Sequence, residues 1–364
     1  VGQNPVSGDY CNIKGGASEG NRGFFIPSGN AARLNESGKR HIYIAIAAQT
    51  GRTMKAITDP TKVFAIDLDG TNNGTPSWVS GFPVDMQFIK DRAGTTYNFF
   101  LSARKNGKNY LSTINNSNNT SNSVYSNQYS NGWGEFGSAS GITSWMFRRH
   151  AGFDVQWYEG NGTARTIKHD LGQVPDMIWT KGFYNSGGYD TDWGIYCKHF
   201  DVSGSDPEDV IARWDYTLAY DQAQWNDTAP TAEVFSVGSG AQTNWNSSGV
   251  QAHFLAFLFS NVDGVCKCGG YSGSTSTVTV NDLGFAPKFI LIYNYTTNGN
   301  HPFIFDTVRG LTSGVDCYLQ FNSSAAQDCN YDVIDIITSP DGFEIPTTGS
   351  INNNGEKYIY YAHA

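Results

Sequence analysis

Residues 153–179, FDVQWYEGNGTARTIKHDLGQVPDMIW, decide how this chain is read, because their pattern returns about 110 residues later. Tyr158, Gly160, Leu171, Gly172 and Pro175, followed by Met177, Ile178 and Trp179, are answered by Tyr271, Gly273, Leu283, Gly284 and Pro287, followed by Phe289, Ile290 and Leu291. In each copy small or polar residues alternate with branched ones, as at Thr166 and Ile167 or Val278 and Val280. That is the period of a half-buried strand. The Leu-Gly-x-x-Pro step then turns the chain into an apolar run, which reads as a second, more deeply buried strand. Proline cannot donate to a ladder, so Pro175 and Pro287 belong at the mouth of that strand.

A closing strand recurs four times. HIYIAIAA at 41–48, ITSWMFR at 142–148, AHFLAFLFS at 252–260 and KYIYYAHA at 357–364 are similar apolar and aromatic runs, at intervals of roughly 105 residues. Turn clusters precede three of them, at 35–38, 246–249 and 352–355. Gly23-Phe24-Phe25-Ile26-Pro27 is matched by Gly342-Phe343-Glu344-Ile345-Pro346, so the chain is expected to open in the second half of a module with something upstream. The spacing predicts part of a module at 1–50, a module with a Gly/Thr/Asn connector at 51–150, and further modules at 151–265 and 266–364. Within the connector, residues 63–66 read as a short strand. Gly81-Phe82-Pro83 before Met86 to Ile89 is a degenerate opening motif, and 115–131 is an Asn/Ser-rich loop. Pro207 to Trp214 is the one place with room for two helical turns. The fold class that follows is all-β, with tandem β-sandwich-like modules of about 105 residues carrying long irregular loops. Exposed strand edges must then be covered by the next module or by another copy of the chain.

Composition agrees: 41 Gly, 22 Phe, 20 Tyr and 9 Trp stand against 4 Met, which suits strands and turns and argues against disorder. Charged residues are 16% of the chain, below the usual quarter or so, and the formal charge of −9 argues against nucleic-acid partners. No apolar run reaches the eighteen or so residues of a spanning helix, so no membrane insertion is expected. The cysteines, at 11, 197, 266, 268, 317 and 329, form no metal pattern and read mainly as thiols. If a disulfide forms, the favoured pair is Cys317 with Cys329.

Motifs for catalysis are missing: no nucleophile elbow, no His-Glu-x-x-His, no phosphate-cradling loop. His169-Asp170 and His199-Phe200-Asp201 place imidazoles near carboxylates, but strand neighbours point to opposite faces. A carboxylate pair for glycoside hydrolysis has only scattered candidates in Asp190, Asp192, Asp206, Glu208 and Asp209. Asp69 to Gly74 imitates the start of a calcium loop, yet Ser80 stands where a bidentate Glu is needed. No cofactor, metal or catalytic residue is therefore assigned. The better lead is aromatic: Tyr184, Tyr189, Trp193, Trp214, Tyr216 and Trp225, interleaved with Asp190 and Asp192, are the candidate ligand contacts. Flat aromatic faces stack on sugar rings while carboxylates accept from hydroxyls.

HIYIAIA at 41–47, GFPVDMQFIKDR at 81–92, the long stretch 144–181, and GGYSGS with LGFAPKFILIYN after 269 resemble the repeated module of phage virion proteins. The likeness is to tail-fibre or adhesin-like proteins of marine and cyanobacterial phages. It implies a virion location, assembly with other virion proteins, a homo-oligomer with a trimer favoured, and attachment to a host cell-surface glycan. It implies no catalytic residue. The alternatives are a purely architectural virion or filament protein and, less favoured, a surface-glycan depolymerase.

Overall fold

A computed structural model describes residues 12–14, 23–25, 54, 56–71, 74–94, 99–107, 109–113, 120–121, 129–134, 140–183, 191–214, 216–247, 250–311, 314–338, 341–347 and 350–364. Residues 1–50 and 51–364 are two compact units. In the first, Asn12–Lys14 pairs antiparallel with Gly23–Phe25. The closing run at 41–48 and Cys11 lie outside the described residues.

In the second unit, three stretches of chain each fold into a six-stranded antiparallel sheet with one shared order: opening, closing, second, third, fourth and fifth strand. The first sheet runs Phe64–Leu68, Ile142–Phe147, Met86–Asp91, Phe100–Ala103, Asn109–Ser112 and Thr120–Ser121. The second runs Phe153–Glu159, His253–Phe259, Met177–Phe183, Gly194–Cys197, Val210–Arg213 and Tyr216–Tyr220. The third runs Cys266–Ser272, Lys357–His363, Phe289–Asn294, Phe303–Asp306, Asp316–Gln320 and Asp328–Tyr331. The fold is all-β; among the described residues the α-helices are the single turns Gln222–Trp225 and Ala241–Asn244.

The repeated residues explain the repeated geometry. Gly81, Gly172 and Gly284 adopt φ of 79°, 73° and 75°, a left-handed turn that a Cβ would strain, each five residues before the second strand. The turn delivers Asp85, Asp176 and Lys288 so that each backbone N–H donates to the closing strand, at Phe147, Phe259 and His363, over 2.8 Å in all three cases. Tyr158 and Tyr271 stack on Phe254 and Tyr358, with centroids 5.2 and 4.8 Å apart, and donate to the Thr243 and Ile351 carbonyls. Gly160 and Gly273 pass so close to the Trp245 and Asn353 carbonyls that a Cβ would sit 2.2 and 2.1 Å from them. The motif that announces the repeat is thus used up in holding each sheet's opening to its closing strand.

The closing and second strands of each large sheet are buried on both faces. On the closing strand of the second sheet, Phe254, Ala256 and Leu258 enter an outer core with Ile167 and Phe235 of a small covering sheet, Arg165–Lys168 with Val234–Val237. Leu255, Phe257 and Phe259 face the opposite way, into a core shared with the other two large sheets. The first sheet is covered by Trp78–Val79 with Gly132–Trp133, and the third by Val278–Val280, Asp341–Ile345 and Asp335–Thr338. Every unit is therefore sandwich-like, and all three also share a wall. Phe321 marks the junction: its ring lies 5.6 and 5.2 Å from Phe88 and Phe99 of the first sheet, and 5.9 and 5.3 Å from Trp179 and Trp214 of the second.

The seams between sheets repeat as well. Leu218, on the fifth strand of the second sheet, donates its N–H to the Tyr295 carbonyl of the third over 3.0 Å. Gln327, beside the fifth strand of the third sheet, donates to the Arg92 carbonyl of the first over 2.7 Å. Arg92 and Tyr295 stand at equivalent places just past the second strands, in register with Met86 and Phe289. Trp193 of the second sheet closes the circuit by donating Nε1 to the Ser112 carbonyl of the first over 3.0 Å. The fifth-strand edges of the second and third sheets are thus met by a neighbouring sheet within the same chain. Between the third and first sheets, the fully buried pair Asp306–Arg309 is closed at 2.6 Å, and Trp145 Nε1 donates to the same carboxylate oxygen over 2.9 Å.

Two local expectations can be settled. Pro207 to Trp214 does not make two helical turns: only Pro207–Asp209 forms a 3-10 turn, after which Val210–Arg213, headed by two β-branched residues, pairs as a strand with Tyr216–Tyr220. Cys317 and Cys329 are bonded, clamping the fourth strand of the third sheet to the fifth.

Candidate functional site

Three of the aromatic residues singled out from the sequence are core residues. Trp193, Trp214 and Trp225 are 3%, 1% and 2% exposed. Trp214 lies edge-on to Trp179, Tyr293 and Phe321, and Trp225 edge-on to Tyr196. This corrects the expectation that they stack on a ligand: Trp193 and Trp214 fill the interior shared between the large sheets, and Trp225 fills the outer core of the second, where large flat side chains close the space. Tyr184, Tyr189 and Asp190 lie outside the described residues. Asp192 and Tyr216 are brought together at the surface. Arg213 holds both, its Nη1 3.2 Å from Asp192 Oδ2 and its guanidinium 5.0 Å from the centre of the Tyr216 ring, which is 49% exposed.

The strand that carries Tyr216 also walls a groove. Tyr216–Tyr220 ends in Tyr220, 65% exposed, and its edge faces residues 295–298 of the third sheet. Two adjoining lobes of about 380 and 230 Å³ open here, the larger between this strand and the third sheet, the smaller between residues 199–201 and the third sheet. The larger is lined by Ser203, Ser205, Thr217 and Tyr220, and the smaller by His199, Tyr271, Ser272 and Tyr358. Asp201, Tyr295 and Lys357 line both. Lys357 Nζ is 2.8 Å from Asp201 Oδ2 and donates to the Asp201 carbonyl over 3.1 Å, while the Asp201 N–H donates to the Tyr295 hydroxyl over 3.0 Å. Burial pushes the Tyr295 phenol up to about 12, so it stays protonated at neutral pH.

Asp201, Tyr295 and Lys357 were not assigned from the sequence. They come from the second sheet's third-to-fourth connection, the end of the third sheet's second strand and the start of its closing strand. No local pattern links positions so far apart. Tyr220 does carry a sequence signal, as a member of the aromatic cluster with Tyr216.

Most groups with intrinsic reactivity lie elsewhere. His150 and His363 sit in the shared interior 6.1 Å apart, with burial lowering their pKa to about 3 and about 4. Burial likewise raises the Cys197 and Cys266 thiols to about 12, away from the thiolate form that reacts. His169 turns its ring to the Thr231 carbonyl, 3.0 Å away. His199, on the groove wall, is 3.6 Å from Asp176. That carboxylate also receives Lys198 Nζ and the Asn261 N–H, as Asp85 receives the Arg149 N–H at the equivalent turn. The carboxylate therefore has a structural task in both sheets. Asp69, first residue of the calcium-like stretch, accepts from Arg92 and from the Gly141 N–H, each over 2.6 Å, and Asn72 and Asn73 lie outside the described residues. Among the described residues no group of three His, Cys, Asp or Glu side chains is arranged to hold a metal ion, and no helix is long and apolar enough to cross a membrane.

No curated protein matches the chain. A family profile described as a domain of unknown function, DUF7483, matches residues 87–364, a span that begins in the second strand of the first sheet and takes in both of the others. The match covers the second and third sheets and all of the first but its opening strand and Met86, and the chain belongs to the DUF7483 family.

Proposed function

We propose that this chain is a non-enzymatic attachment protein of a phage virion, of the tail-fibre or receptor-binding type, which meets a bacterial surface glycan at the seam between its second and third sheets. The observation that carries this reading is the groove itself, where the Tyr220 ring, hydroxyls and one compensated ion pair face solvent on a packed frame. Such a lining suits sugars, which offer apolar ring faces and hydroxyl rims. The resemblance to virion modules supplies the setting. A trimer of chains would present three grooves, and weak single contacts would then combine through avidity.

The test is retention of the purified chain on immobilised bacterial surface polysaccharides and lipopolysaccharides, together with competition against adsorption to whole cells. Retention with competition is expected. Release of new reducing ends during the incubation would instead point to a depolymerase. A purely architectural role is the second reading, favoured by a closed interior whose edges are already covered; lattice or helical assembly without any polysaccharide retention would establish it.

A further inference from the structure

We infer that the groove takes a neutral, polyhydroxylated oligosaccharide of at least two rings, laid across the Asp201–Lys357 bridge with one ring in each lobe. This rests on the attachment reading above and adds the place, the charge class and the minimum length of the ligand.

The first support is that the opening is no by-product of the architecture. The same register positions occur at the seam between the third and first sheets, and there the described residues pack closely. Gly94 lies so close to the backbone of Ser324 and Ala326 that a Cβ would sit 2.7 and 2.6 Å from their atoms. Arg309 fills the interior beside them, donating to Ile304 and Asp306. At the seam between the second and third sheets the equivalent strand edge meets Tyr295, and although Asp201 and Thr217 are hydrogen-bonded to Tyr295 and Asn298, the two lobes remain open beside those contacts. Among the described residues one seam is closed and the other open on a common framework.

The second support is the lining. The larger lobe, about 380 Å³, falls within the roughly 300–1,000 Å³ of small-ligand sites, and the second, about 230 Å³, adjoins it through shared residues. Serine and threonine hydroxyls donate and accept, and the exposed Tyr220 ring offers a stacking face.

The third is charge. Lys357 is matched by Asp201 and His199 faces Asp176, so no cation on the wall is left over for a polyanion. A formal charge of −9 on the chain opposes an acidic polymer further. The bridge itself is exposed, with 70% of the Asp201 side chain open, so a neutral chain can cross it without stripping a buried ion.

The experiment measures retention on bacterial polysaccharides, neutral and acidic, with chitotetraose, maltotetraose and tetragalacturonate as soluble competitors followed by ligand-observed NMR. Tyr220→Ala and Ser203→Trp act on the larger lobe at exposed positions; Tyr331→Ala, exposed on the fifth strand of the third sheet and outside the groove, is the control. Retention on a neutral polymer is expected to fall about tenfold in both groove variants and to be unchanged in the control. Undiminished retention in both groove variants overturns the groove while leaving attachment standing. Retention confined to acidic polymers overturns the charge class. No retention on any surface polysaccharide removes the attachment reading and the groove with it.

Discussion

Replacing Phe321 with Ala tests whether three sheets share one interior. The ring is fully buried and touches Phe88 and Phe99 on one sheet and Trp179 and Trp214 on another, at centroid distances of 5.2–5.9 Å. Truncating a buried Phe costs about 3–5 kcal/mol, depending on how far the cavity collapses. Here collapse is resisted, because the surrounding rings are anchored on separate sheets, and the lost aromatic pairs add roughly 0.5–1.5 kcal/mol each without being additive. A loss of about 4 kcal/mol is expected, a large share of the ~5–15 kcal/mol that holds a typical domain folded. Urea unfolding should be followed by tryptophan fluorescence and by far-UV circular dichroism. Trp145, Trp179 and Trp214 lie in the shared interior and report on its integrity. Both signals should move together to lower denaturant. Phe343→Ala, at an equally buried ring in the third sheet's own outer core, provides a reference of similar chemistry. A Phe321→Ala loss below about 1 kcal/mol, or a third sheet that unfolds while fluorescence from the other two stays native, would refute the shared interior.

Asp306→Ala should cost about 3–5 kcal/mol in the same assay, since it strands the Arg309 guanidinium and removes the acceptor of Trp145 Nε1. Adding Arg309→Met should recover most of that loss. His150 and His363, with pKa lowered to about 3 and about 4, take up protons on unfolding before they do so when folded. These two groups therefore remove stability as pH drops below about 6.5, at up to about 1.4 kcal/mol per pH unit each, and His363→Phe should lessen the loss by one such share in urea titrations between pH 6.5 and 5. Asp316 has the opposite sign. Burial raises its carboxyl to about 6 despite the N–H groups of Val333 and Ile334 at 2.9 Å, so its contribution is complete below pH 4 and is lost as pH rises through 6. Asp316→Asn keeps an acceptor for both amides, and should raise the urea midpoint at pH 7 but not at pH 4.

Much of each sheet was legible along the chain because its cause is local. The left-handed glycine, the proline at the strand mouth, the period-two alternation and the Cys317–Cys329 pairing depend on neighbours in one module. The tryptophans were harder. Trp193, Trp214 and Trp225 sit among turn residues and acids, which in sequence resembles a binding loop, and only the approach of other elements encloses them. Hydrophobicity does not record which surface will meet which.

By itself, then, the sequence determined that sandwich-like β units recur and where their second and closing strands lie, since short-range sterics and side-chain alternation enforce these. Tertiary structure alone decided that the inner faces of three sheets combine into one core, that the described residues of the seam beside Gly94 pack closely, and that the seam beside Tyr295 stays open. Those outcomes depend on contacts between residues as distant as Asp201 and Lys357, whose ion pair exists only after independent strands have been packed together.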